Sequence, residues 1–149
     1  MNKQVLLLIR SLYATNFVTY YKSHAFHFNV EGKNFSQDHE FFKEIYEFLW
    51  AESDNIGEQI RQMSKATPTT LKSLIEMSST EEDNLITAPE DMYMCLSKDF
   101  QSLLDIGNDL YKAAGSCNCY ALETYIGDYL TGVSKYKWMI DATLKRSIK

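Results

Sequence analysis

Apolar side chains recur every three or four residues along most of the chain, the spacing that gathers them on one face of an α-helix, and the alternation of a half-buried strand is absent. From Val5 to about Val30 the stripe passes through Ile9, Leu12, Tyr13, Phe17, Tyr20 and Tyr21, and Gly32 closes the segment. Ser36 is placed to cap a second helix, with Asp38 and Glu40 favourable to the dipole in its first turn. Its core positions are Phe41, Ile45, Phe48, Leu49, Ile56 and Ile60, and it runs to about Met63. Between Ser64 and Ala88 the chain turns polar, although Leu71, Leu74 and Ile75 predict a short helix inside this stretch. Pro89, Glu90 and Asp91 open a third long helix through Met92, Leu96, Phe100, Leu103, Ile106 and Leu110, which Gly115 ends. The last helix carries Leu122, Ile126, Tyr129, Leu130, Val133, Tyr136 and Ile140. The pattern predicts an all-α four-helix bundle whose long middle crossover, with its short extra helix, joins two helices that run in the same direction.

A chain of 149 residues suits one domain, expected over 1-149, and 45% hydrophobic residues make it too apolar for disorder. The longest purely apolar run, Val5 to Ile9, stops at Arg10, so neither a membrane span nor a secretory signal is expected and the cytoplasm is the expected compartment. The formal charge of -5 disfavours nucleic acid except through a local basic patch. Three cysteines are present, and Cys117-Asn-Cys119 is too sparse for a four-ligand zinc site, so Cys95, Cys117 and Cys119 are expected to be reduced thiols.

Candidate chemistry centres on the only histidines, His24, His27 and His39, and on Asp54 and Glu58, which lie four apart on one helix face and could share a cation. An acidic pair of this kind is also an ordinary solvated surface. His39 and Asp54 are separated by roughly 22 Å on one continuous helix, too far for one metal ion. If histidines and acids form one site, a second copy of that helix must run antiparallel beside the first, as a twofold axis arranges. Tyr21, His24 and Ser36 stand three before the histidines, so the Glu-x-x-His pairs of a centre within one bundle are missing.

The stretch His27-Phe-Asn-Val-Glu-Gly-Lys-Asn-Phe35, followed by His39 and then Asp54-Asn-Ile-Gly-Glu58-Gln-Ile-Arg61, resembles the ferroxidase signature of the Dps family of ferritin-like proteins. Pro68-Thr-Thr-Leu-Lys-Ser-Leu74 and Lys137-Trp-Met-Ile-Asp141 also resemble that family, so the likeness covers nearly the whole chain. The resemblance implies a ferritin-like four-helix bundle assembled into a hollow dodecamer, with ferric mineral inside and ferroxidase sites at the twofold interfaces. It implies that His27 and His39 from one subunit, with Asp54 and Glu58 from its partner, hold Fe(II) for oxidation by hydrogen peroxide or oxygen. Mixed imidazole and carboxylate donors suit that chemistry, and zinc is an alternative occupant for the same donors.

Two departures stand out. Lys43 occupies a position, four after His39, where most members are acidic, and a cation there opposes a second iron unless a carboxylate such as Glu47 takes it up. Phe28 replaces a frequent tryptophan, leaving Trp50, Tyr46 or Trp138 as candidate radical acceptors or plain core residues. His24 is an auxiliary ligand or an interfacial histidine. With only Lys3 before the apolar run, DNA binding through the lysine-rich amino-terminal tail that many members use is not expected, and Lys145, Arg146 and Lys149 are expected to offer only weak contacts. Glu123 and Asp128 are candidates for acidic entry pores or for a solvated face. Two functions follow: an iron-oxidising storage enzyme, or a cage or DNA-associating protein whose altered site no longer turns over iron.

Overall fold

A computed structural model describes residues 2–82 and 88–149; residues 83–87, the last part of the expected crossover before Ala88, lie outside it, as does Met1. Five helices and no strands are present among the described residues. They are α1 (Lys3–Asn29), α2 (Phe35–Gln62), α3 (Leu71–Met77), α4 (Pro89–Ser116) and α5 (Tyr120–Thr143). No described helix is long and apolar enough to cross a membrane.

Contacts along the helices set their directions. Asn16 of α1 reaches Leu49 and Ser53 of α2, while His27 meets His39, so α1 and α2 are antiparallel. Tyr125 donates to Glu52, and the Phe48 ring packs at a tilt against Tyr136, so α2 and α5 are antiparallel too. Ser97, near the start of α4, donates to Asp141, near the end of α5. At the start of α4, Tyr93 donates to Asp38 at the start of α2 across 2.7 Å, so α2 and α4 run in the same direction. That is the topology a long crossover produces. The described part of the crossover lies along α1, where Ser79 N donates to Thr15 Oγ1 and Arg10 donates to Ala66 O. The core is formed chiefly by Ile, Leu, Phe and Val side chains, among them Ile9, Leu12, Phe42, Ile45, Leu49, Phe100, Ile126 and Val133.

The buried face of α1 differs from the expected stripe. Ile9 and Leu12 are buried, but Phe17 and Tyr20 are only half-buried and Tyr21 is exposed. The inner face continues instead through Asn16, Thr19, Ser23 and Phe26. Polar residues can occupy it because each has a partner. Thr19 donates to Thr15 O, Ser23 to Thr19 O, and Lys22 pairs with Asp99 of α4 at 3.0 Å. Asn16 donates to Leu49 O and to Ser53 Oγ and accepts from Tyr129, joining α1, α2 and α5. Hydrophobic periodicity cannot register a face satisfied by hydrogen bonds.

Three local expectations also change. Asn34, not Ser36, precedes α2, because Gly32 at φ 142° folds a turn in which Phe35 N donates to Gly32 O. Phe42 rather than Phe41 is the fully buried aromatic of that helix. Helix α4 passes Gly115 and ends at Ser116, with Asn118 in the left-handed region at φ 58° closing the turn. The reduced-thiol expectation is also corrected: Cys117 and Cys119 are joined by a disulfide, whereas Cys95 is not disulfide-bonded. The one-residue spacing and that left-handed turn bring their Cα atoms to 5.4 Å, within bonding range.

Candidate metal centre

His27 lies in the last turn of α1 and His39 near the start of α2, so the short turn between the helices brings two imidazoles together. Their rings stack at 3.8 Å between centroids with 15° between planes. His27 Nδ1 is 2.7 Å from His39 O, and His39 Nδ1 is 2.7 Å from His27 O. A carbonyl only accepts, so each Nδ1 carries the proton and donates. In the neutral ring the lone pair is therefore on Nε2, the atom left to bind a metal. Phe35 stacks on the other side of His39 at 5.0 Å. His27 is buried and His39 half-buried, so the pair is held by packing as well as by hydrogen bonds.

Asp54 and Glu58 lie on the second half of α2, exposed, and line a cleft of about 600 Å³ together with Phe17, Trp50 and Arg61. The same helix thus carries the imidazole pair near one end and the carboxylate pair towards the other. Among the described residues no three His, Cys, Asp or Glu side chains of one chain come together. Along one edge of this cleft, and sharing Phe17 and Trp50 with it, an apolar groove of about 850 Å³ is lined by Tyr21, Ala25, Leu71 and Ile75.

A family model for the ferritin-like domain matches residues 7–147. The chain is 30% identical to DNA protection during starvation protein 2 of Bacillus anthracis over 147 residues, 98% of this chain and 100% of the relative. The chain belongs to the Dps family of ferritin-like proteins. Among solved structures it is similar to Dps from Staphylococcus aureus, with a TM-score of 0.91 and 28% identity over 99% of each chain. It is also similar to a Dps protein from Vibrio cholerae O1, described as a member of a broad superfamily of ferritin-like diiron-carboxylate proteins. That match has a TM-score of 0.90 and 25% identity, over 95% of this chain and 89% of the other. The five-helix order among the described residues and the shared direction of α2 and α4 agree with the bundle expected from the helix pattern and its long crossover.

Within this Dps-family chain, the surroundings of the histidines separate the residues that sequence left open. His24 stacks on Tyr46 at 3.9 Å and 7°, and Tyr20 OH lies 2.9 Å from its Nδ1. Burial, and then the neighbouring His27, lowers the His24 pKa below its ordinary value. Burial first, then Tyr46 and Tyr21, raises that of Tyr20. Lys43 Nζ lies 4.0 Å from Glu47 Oε1, as a half-exposed pair one turn apart. Trp50 and Trp138 are 59% and 60% exposed, so the plain-core reading does not hold for either; Tyr46 is half-buried against His24. Glu123 is half-buried beside Gly115, whereas Asp128 is exposed.

Sequence reasoning missed the groups that orient the imidazoles. They are the backbone carbonyls of His27 and His39 themselves, and every residue has a carbonyl, so no side-chain pattern announces them. The stacking of Phe35 on His39 had a weak signal in the spacing of four, which places two aromatic rings on one helix face.

Proposed function

We propose that this protein is an iron-storing mini-ferritin, a single domain over its whole length, that oxidises Fe(II) with hydrogen peroxide at sites formed between two subunits. The observation that carries the reading is the reciprocal hydrogen bond between His27 and His39, which commits both Nδ1 atoms and frees both Nε2 atoms. Asp54 and Glu58 of a twofold partner complete the donor set, since the two pairs occupy different parts of α2. The apolar groove beside the carboxylates supports such pairing, because contiguous exposed apolar surface favours a partner over solvent. The assembly is a hollow dodecamer in the cytoplasm, with ferric mineral inside.

Fe(II) is the substrate, and its neutral nitrogen and anionic oxygen donors leave coordination positions for the oxidant while the hard oxygens favour the Fe(III) product. Zinc fits the same donors and should compete with Fe(II). Direct DNA binding is weak or absent at a net charge of -5, and DNA is protected by removal of iron and peroxide.

The deciding experiment adds Fe(II) anaerobically to metal-free protein and follows ferric absorbance after peroxide. The wild type should oxidise iron well above the buffer rate, and His27→Ala with Asp54→Ala should return it to that rate. If the double variant changes nothing, the enzymatic reading fails.

A second reading, a cage whose site turns over little iron, is favoured by one observation. Lys43 sits one turn after His39 with only a 4.0 Å, half-exposed contact to Glu47, so its charge is incompletely offset. Counting Fe(II) bound per subunit distinguishes the two. Lys43→Asp should raise the count if the ammonium disfavours a second iron, and an unchanged count removes Lys43 from the explanation.

A further inference from the structure

We propose that Cys117 and Cys119 form a reversible dithiol–disulfide couple that reduces hydrogen peroxide independently of iron, in the turn between α4 and α5. Only Asn118 separates them, so the bridge closes a very short loop and constrains the unfolded chain little. A structural staple gains most from a long loop, which this one lacks.

The approach of the two sulfurs is set by the helix end. Cys117 N donates to Ala113 O at 3.3 Å, Asn118 N to Gly115 O at 3.1 Å and Cys119 N to Ala114 O at 2.8 Å. These bonds hold Asn118 at φ 58°, a left-handed conformation that asparagine adopts readily. The bridge lies wholly within this turn, with Cys117 Sγ 3.4 Å from Ala114 O and Cys119 Sγ 3.8 Å from Cys117 O. Both cysteines are half-buried at a surface turn, within reach of a small oxidant. Cys95 lies 22 residues earlier on the same helix, roughly 33 Å away, and cannot exchange with them within one chain.

Cys119 is the N-cap of α5, and no side chain caps the first-turn N–H groups, so these donors remain for an anion and the attack is placed on Cys119 within the proposal. Its thiolate displaces hydroxide from peroxide: an S–O bond forms, the O–O bond breaks, and a sulfenic acid results. The Cys117 sulfur then attacks Cys119; the S–S bond forms, the S–O bond breaks, and the second oxygen leaves as water once protonated. The dithiol loses two electrons and two protons, and peroxide becomes two waters. An external dithiol returns the pair to its reduced form by exchange.

The test uses metal-free assembled protein carrying Cys95→Ser, reduced with dithiothreitol, freed of reductant and treated with equimolar hydrogen peroxide. Iodoacetamide labelling is then read by mass spectrometry. Peroxide should remove both labels from the 117–119 peptide, and fresh dithiothreitol should restore them. Cys117→Ser should instead accumulate a sulfenic acid on Cys119 that dimedone traps, and Cys119→Ser should lose that adduct. Persistent labelling of both cysteines, or over-oxidation to sulfinic acid without a bridge, would overturn the couple. A dimedone adduct on Cys117 in Cys119→Ser, with none on Cys119 in Cys117→Ser, would overturn the assignment of attack. Because no iron is present, these outcomes are separate from the success or failure of the ferroxidase reading.

Discussion

Lys22 and Asp99 illustrate how a single polar residue becomes structural. Their side chains are 7% and 6% exposed and meet at 3.0 Å between α1 and α4. Two charges removed from water are tolerable together and costly apart. Asp99→Ala, which strands the ammonium, should destabilise the protein by about 3–5 kcal/mol, whereas Lys22→Met with Asp99→Leu should cost much less. Denaturant unfolding of the two variants checks this, and equal losses would contradict it. The imidazole pair obeys similar logic. Proton placement on His27 and His39 follows from two carbonyl acceptors, so the nitrogens left for the proposed metal are decided by backbone geometry.

At the scale of elements, close helix approach requires one of the two glycines of α5 and not the other. A Cβ on Gly132 would lie 2.7 Å from Phe48 Cε2 and 2.9 Å from Cζ, in a ring already packed against Tyr136. A Cβ on Gly127 would meet only Tyr111 Cε2, at 3.6 Å. Gly127→Ala should therefore stabilise by about 0.5–1 kcal/mol through helix propensity. For Gly132→Ala, overpacking of about 1–3 kcal/mol should exceed that gain. Opposite shifts in the unfolding midpoint are expected, and shifts of one sign would refute the packing argument. The contact between α4 and α5 also carries a titrating group. Burial raises the Asp141 pKa, but bonds from Lys137 and Ser97 and the charges of Lys137 and Lys149 more than offset it, leaving it below the ordinary 3.8. A depressed folded value means the unfolded chain binds more protons as acidity rises. The stability from Asp141 is thus present above the ordinary carboxylate range and is lost as pH falls through the folded value. Asp141→Asn should flatten the acid limb of stability below about pH 4, and identical limbs would dismiss the contribution.

For the whole molecule the decisive surface is the one flanking Asp54 and Glu58. Trp50 is 59% exposed and lines both the carboxylate cleft and the apolar groove. If this face is the proposed twofold contact, Trp50→Glu should place a charge in it. Native mass measurement should then show smaller particles with unchanged helical content, together with loss of iron oxidation. A full-size particle would move the subunit contact elsewhere.

Sequence alone determined the all-α class, the four long helices and the short one at Leu71–Met77, because these depend on periodicity and on turn residues near each boundary. It also singled out His27, His39, Asp54 and Glu58, whose spacing on helices is a property of the chain. It could not tell that Asn16, Thr19 and Ser23 would be interior while Tyr21 and Trp50 would be exposed: Asn16 is held by bonds to α2 and α5, and Thr19 and Ser23 are satisfied by carbonyls of α1 itself. Nor could it tell that Asp38 would be held by Tyr93 rather than merely face the dipole. Tertiary structure alone brought the two imidazoles into a reciprocal pair, and the left-handed turn at Asn118 closed the Cys117–Cys119 bridge. Residue patterns set which face a helix offers, but the partner of a polar atom is chosen by the three-dimensional neighbourhood that the other helices create.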